Sequence, residues 1–171
     1  MVTLGLDAST TCVGYAFTKD KKILDMGFID IKKEKTPKDK VQIVLDFLTN
    51  TSYINNTTII NVEDNLSGFA GGRTSQQVII KLAKFNAILC FMLEHMFDVE
   101  PNNINPMTAR KQVFGKARVK GIKAKDLVKM KIEEMYNTKK WCKHTTRGNW
   151  DKRNIDAYDG LVMSLYEKNN K

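Results

Sequence analysis

The spacing of apolar residues changes period along the chain, and each change marks an element. Val2 to Asp7, Cys12 to Thr18 and Ile23 to Ile31 read as strands joined by short polar turns such as Lys19-Asp20-Lys21-Lys22, which predicts an antiparallel meander. Pro37 then opens a helix with Val41, Val44, Leu45 and Leu48 at helical spacing. Thr58 to Glu63 is a fourth predicted strand. Because it follows a helix, a right-handed crossover sets it parallel to the first.

A glycine-containing loop, Asn65 to Arg73, comes next, and Thr74 or Ser75 is placed to cap a long helix reaching about Met96. Val78, Leu82, Phe85, Leu89, Met92 and Met96 form one stripe of that helix, yet its other sides are also apolar. A helix apolar nearly all round is buried on two sides. One side is expected to face the core. The other, with Ile80, Ala83, Ala87 and Phe91, is expected to meet a second copy of the chain across a two-fold axis. The remainder predicts a short strand near Asn103 to Asn105, a brief helix from Pro106 through Val113, and a basic loop from Gly115 to Gly121. A helix from about Lys123 to Tyr136, an irregular stretch 137–150 and a last helix from Lys152 to Glu167 complete it. The expected fold class is α/β: a mixed five-stranded sheet, its first three strands an antiparallel meander, flanked by helices.

The 171 residues, 42% of them hydrophobic, suit one domain over 1–171 with a full core. No repeat or linker interrupts them. No apolar run reaches the ~18 residues of a membrane span, and the N-terminus lacks the pattern of a signal peptide. Three cysteines, Cys12, Cys90 and Cys142, at unrelated spacings fit a reduced, cytoplasmic setting. The net charge of +9 is not uniform: residues 101–155 carry +11, while the segments on either side each carry −1. A segment of that kind faces phosphate or anionic lipid, or is a lysine-rich solvated surface, and the carboxylates that flank it favour nucleic acid.

The candidate chemistry is acidic. Asp7 and Glu63 end the two strands predicted to be parallel, and ligands of such sheets bind beyond the strands' carboxyl ends. Asp156 and Asp159 are three apart and share a helix face. Brought together, these four carboxylates make an oxygen-rich site suited to Mg²⁺ or Mn²⁺. Two such ions about 3.5–4 Å apart activate water and stabilise a leaving oxygen in phosphodiester hydrolysis. Taken singly, each acid is an ordinary strand or helix terminus. Trp141 and Trp150 flank a basic KHTTRG stretch and are read first as loop anchors, with base stacking the alternative. His95 is read as structural. His144 near Cys142 lacks the further ligands that zinc needs.

The same parts, in this order, resemble the RuvC-like Holliday-junction resolvases of the RNase H-like superfamily. GLDASTTCVGYAF resembles the family's first strand, VEDNLSGF its glutamate strand, PMTARKQVFGKARVKGIKAKDLV its basic region and DAYDGLVMS its terminal helix. The resemblance implies Asp7, Glu63, Asp156 and Asp159 as ligands of two Mg²⁺ ions, with Mn²⁺ able to substitute. It implies Lys111 and one of Lys123 or Lys125 near the scissile phosphate. Leu66, Phe69 and Arg73 are implied at the junction centre. Arg110, Lys111, Lys116, Arg118, Lys120, Lys123 and Lys125 are implied as DNA contacts. It further implies a homodimer acting on four-way junctions, and on forks and flaps. The Asp64-Asn65 pair after Glu63 and the longer basic stretch from Lys139 to Lys152 look more like a bacteriophage version. Two rivals are weighed against it. The D-A-S-T-T-x-x-G hairpin resembles the phosphate turn of actin-like ATPases and sugar kinases, but those need a second such domain. A catalytically inactive DNA-binding module would not need all four acids.

Overall fold

A computed structural model describes residues 1–64 and 75–168. Its centre is a five-stranded sheet built from β1 (Val2–Ala8), β2 (Cys12–Lys19), β3 (Lys22–Asp30), β4 (Thr57–Glu63) and β5 (Asn102–Ile104), in the order β3-β2-β1-β4-β5. The β1-β2 and β2-β3 pairs are antiparallel, and β4 runs parallel to both β1 and β5. The β2-β3 hairpin closes through Asp20 and Lys21, both at positive φ, as the right-handed twist of two-residue hairpins demands. The helices are α1 (Pro37–Thr49), α2 (Gln76–Phe97), α3 (Pro106–Phe114), α4 (Ala124–Met135) and α5 (Asn154–Leu165). None of the described helices is long and apolar enough to cross a membrane.

Strand alternation sorts side chains onto two faces. Leu4, Leu6 and Ala8 of β1 join Val13, Tyr15 and Phe17 of β2 in a core covered by α1 and α2. The opposite face of β1 and β2 presents Gly5, Asp7, Gly14 and Ala16. There α5 lies against the sheet, with α3 and α4 outside it, around Tyr158, Leu161 and Met163. Local signals start these elements as expected. Thr36 caps α1 by accepting from the Asp39 amide at 3.1 Å, with Pro37 at the first turn. Asn105 caps α3 by accepting from the Met107 amide at 2.9 Å.

Three details refine these expectations. The predicted stripe of α2 faces the core at its middle, through Phe85 and Leu89 with Asn86 and Leu93 beside them, while Val78 and Met96 at its two ends are exposed. The polar Asn86 takes a core position because its amide donates to the Glu63 carbonyl at 3.5 Å. Ser75 precedes α2 without making a capping bond. Residues 137–150 contain no helix or strand, but they are organised: a bridge pairs His144 with Trp150.

Candidate active site

The pairing register brings the acids together. Leu6 pairs with Val62 across parallel β1 and β4, so the next residues, Asp7 and Glu63, stand side by side at the strands' carboxyl ends. Helix α5 brings Asp156 and Asp159 onto the same end. Its approach depends on glycine. A Cβ on Gly14 would collide with the Asp156 carbonyl, one on Gly5 with the Ser164 amide, and one on Gly160 would sit 2.9 Å from the Gly14 backbone. Glycine inside a strand commonly marks such close backbone approach. The far end of α5 is tied down by Asn61, whose amide donates to the Met163 and Tyr166 carbonyls at 2.9 and 3.0 Å. Thr18 donates to Ser164 at 3.1 Å.

Ser9 holds the turn beyond Asp7, accepting from the Cys12 amide at 3.2 Å and donating to its carbonyl at 2.6 Å. Asp7, Glu63 and Asp159 are buried, and Asp156 is more open. Burial first, then the charges of Glu63, Asp159 and Asp156, hold the Asp7 carboxyl well above its ordinary value. Burial and Asp159 push Glu63 up to about 7, against the pull of Arg110 and Lys125. Burial raises Asp159 as well, although Arg110 opposes it. Burial would lower Lys125, but its bond to Asp156 and the nearby acids raise it overall. Burial and the neighbouring Asp156 push the Cys12 thiol up, so a protonated thiol borders the acids.

Two cations reach this cluster. Arg110 of α3 donates to Asp159 at 3.0 Å in a buried ion pair. Its Nε is buried and has no hydrogen-bond partner among the described residues. Lys125 of α4 donates to Asp156 at 3.0 Å. Of the two lysines left open by sequence, Lys125, though largely exposed, touches Asp156, while Lys123, also exposed, precedes α4. On α3 it is Arg110 that faces the acids, and Lys111 is exposed. Lys116, Arg118 and Lys120 are exposed in a loop whose Gly115 and Gly121 take positive φ. Leu66, Phe69 and Arg73 lie outside the described residues. On α2, Ile80, Ala87 and Phe91 are exposed and Ala83 is half-buried. His95 is exposed and stacks on Phe91.

Among the described residues, no three His, Cys, Asp or Glu side chains are set to ligate one ion as they stand. The donor set nevertheless fits a hard divalent cation. It is all carboxylate, it stands at one sheet end, and burial, joined at Asp7 and Glu63 by the charge of neighbouring acids, raises the proton affinity of three of the four acids. Arg110 and Lys125 carry part of the neutralising charge. The roomiest cleft described, about 750 Å³, lies elsewhere, between the end of α4, Trp150 and Tyr158, and none of the four acids lines it.

No protein-family model and no curated protein matches the chain. Solved structures do. The mixed sheet with its antiparallel meander and flanking helices is an RNase H-like fold, and more particularly that of the RuvC-like resolvases. Thermus thermophilus RuvC in complex with Holliday junction substrate superposes with a TM-score of 0.62 at 13% identity, over 96% of this chain and 90% of that one. Thermus thermophilus RuvC alone gives 0.59 at 14%, over 96% and 92%. The yeast mitochondrial Holliday junction resolvase gives 0.60 at 14%, over 95% and 75%.

Proposed function

We propose that this protein is a divalent-metal-dependent endonuclease, carried on one domain over 1–171, that nicks four-way DNA junctions and also forks and flaps. The meeting of Asp7, Glu63, Asp156 and Asp159 at the carboxyl ends of parallel β1 and β4 carries this reading. The +11 charge of residues 101–155 and the likeness to RuvC held on a Holliday junction support it. Asp7, Glu63, Asp156 and Asp159 would hold two Mg²⁺ ions, or Mn²⁺ in their place. When bound, such ions polarise the phosphate, activate water and stabilise the leaving oxygen. Around them Lys125 orients Asp156, and Arg110 orients Asp159 while keeping an N–H to offer an anion. Lys111, Lys116, Arg118, Lys120 and Lys123 meet backbone phosphates from the solvent side, and Leu66, Phe69 and Arg73 are assigned to the junction centre.

Resolution needs two opposed nicks, so the proposal includes a homodimer. The outer face of α2 supports it: Ile80, Ile88 and Phe91 are exposed large apolar residues there, and Ala83 and Ala87 between them allow close approach. The deciding experiment follows strand nicking of a four-way junction with Mg²⁺ beside a gel shift in Ca²⁺. The wild type should nick, and Asp7→Asn should bind without nicking. Near-normal cleavage by Asp7→Asn overturns the site assignment. Light scattering should report a dimer, and Ile80→Glu with Ala87→Glu should convert it to a monomer. A wild-type monomer, free and on the junction, overturns the dimer.

A further inference from the structure

Between α4 and α5 the chain does more than connect. Backbone bonds from the Thr145 amide to Asn149 at 2.7 Å, and from the Asp151 amide to Lys143 at 3.1 Å, close a small hairpin over residues 143–151. The His144-Trp150 bridge lies between them. Its base is clamped. The Asn154 side chain accepts from the Lys143 amide at 2.9 Å and donates to the Lys143 carbonyl at 2.8 Å. Asn154 is buried and is the first residue of α5, two before Asp156. Trp150 packs against Tyr158 with ring centres 6.2 Å apart, beneath the Lys129 ammonium. Arg153 ties the same base to Asp151 and to Asp30 on the edge strand β3.

The tip is built differently. Thr145 to Asn149 are polar and exposed. The turn bends at Gly148 with φ of 78°, and a Cβ placed there would meet nothing within 4 Å, so the tip stands clear of the body. Positive charge gathers at the tip and around the base. Residues 139–153 hold six Lys and Arg against the single acid Asp151. That acid is already paired with Arg153. Arg147 on the tip, and Lys139, Lys140 and Lys152 flanking the base, are exposed and form no ion pair among the described residues, although the Lys140 ammonium lies 4.0 Å over the Trp141 ring.

Like charges gathered on and beside an anchored hairpin repel one another in the free protein, and the arrangement is relieved by a polyanion. The geometry points to this hairpin as a second DNA contact, a rigid basic finger that lies along the phosphate backbone of one duplex arm beside the acid cluster. This assignment rests on the nuclease reading above and adds to it a contact outside the 115–121 loop. Because the finger offers lysine and arginine but no packed reading surface, its contact is to phosphates and is independent of base sequence.

The test is a salt titration of DNA binding in Ca²⁺, on a four-way junction and on linear duplex of equal length. Lys140→Gln, Arg147→Gln and Lys152→Gln are combined, with a circular dichroism melt to establish folding. The slope of log affinity against log salt should become shallower by about 0.9 for each cation that meets a phosphate, so by about 2.7 for all three, on both DNAs. Affinity at 0.1 M salt should fall on the order of 10- to 100-fold. Arg147→Glu alone, at a tip where nothing packs, should weaken both DNAs in the same direction and serves if the triple variant melts early. An unchanged slope in a folded variant overturns the finger. So does a loss confined to the junction, because that places the contact at the crossover and not on an arm. If the wild type itself binds neither DNA, the nuclease reading fails and the finger fails with it. Wild-type binding and nicking with an unaffected triple variant removes the finger alone.

Discussion

The two faces of the sheet are built on opposite principles. Beneath α1 and α2, β1 and β2 turn Leu4, Leu6, Val13 and Phe17 into a close-packed apolar layer with Phe85, Leu89 and Leu93. Beneath α5 the same strands turn Gly5, Asp7 and Gly14, and the helix backbone fills the space that side chains occupy on the other face. The first face buries hydrocarbon and holds the fold together. The second also buries hydrocarbon, around Tyr158, Leu161 and Met163, but at one end it buries carboxylates, which opposes folding unless a cation is near. The difference teaches that stability and chemistry are divided between faces only one strand thickness apart. Each can therefore be damaged with a different signature.

The largest separation is expected from Asp7→Asn. Cleavage should fall by at least ~10³-fold, about 4 kcal/mol of barrier, while the metal-free protein at pH 8 melts no earlier than wild type, since a buried charge is gone. A clear drop in Tm would show that Asp7 supports the fold and so break the division.

Next comes a matched pair of substitutions. Phe85→Ala on the apolar face should cost about 3–5 kcal/mol of stability, yet the protein that remains folded should still nick at close to the wild-type rate. Gly14→Ala on the other face removes no packing but forces α5, and Asp156 with it, off the sheet. Nicking should be lost in protein that is still folded by near-ultraviolet circular dichroism. Denaturant melts and single-turnover nicking of both variants decide it, and equal loss of activity in the two would erase the contrast.

Protons sharpen the same comparison. Asp7 and Glu63 are raised in the folded state, so the folded protein holds more protons than the unfolded chain. The metal-free protein should thus be most stable below about pH 4.5 and lose stability as pH climbs through the Glu63 value of about 7. For Glu63 alone the loss is about 3 kcal/mol. Added Mg²⁺ should reverse the loss above pH 7 and release protons on binding near pH 6, measured by calorimetry in buffers of different ionisation enthalpy. Phe85→Ala should lower the whole stability curve without changing its slope. A metal-free stability that is flat from pH 5 to 8 would mean the acids are not the strained face.

The smallest effect separates neighbours on α3. Arg110→Met strips the partner from a buried Asp159 and should slow nicking by roughly 100-fold, at about 1.4 kcal/mol per tenfold. Lys111→Met, in the solvent, should weaken DNA binding only a few-fold, with the loss growing as salt falls. Equal effects would place both cations at the same distance from the chemistry.

Much of this was legible in the residues alone because the signals are local. Strand alternation, the Pro37 and Pro106 helix starts and the turn at Asp20-Lys21 depend on near neighbours. The placement of Asp7 and Glu63 followed from one crossover rule applied to two strands. The concentration of positive charge in 101–155 is a property of order along the chain. The resemblance to the RuvC-like resolvases joined these parts in sequence, and the fold agrees with it.

What only the tertiary structure decided were choices between near neighbours and between helix faces. Arg110 and Lys111 differ by about 100° around α3, and the docking of α3 against α5 turns the first toward Asp159. Lys125 reaches Asp156 and Lys123 does not, because the helix begins between them. The inward face of α2 is fixed by the packing of Phe85, Leu89 and Leu93 into the core, and Asn86 beside them reaches the Glu63 carbonyl, a partner 23 residues away. The need for glycine at position 14 comes from a helix that begins 140 residues later. Propensity and periodicity are set by covalent neighbours. Close approach, ion pairing and the sharing of charge among four carboxylates arise only when distant segments meet.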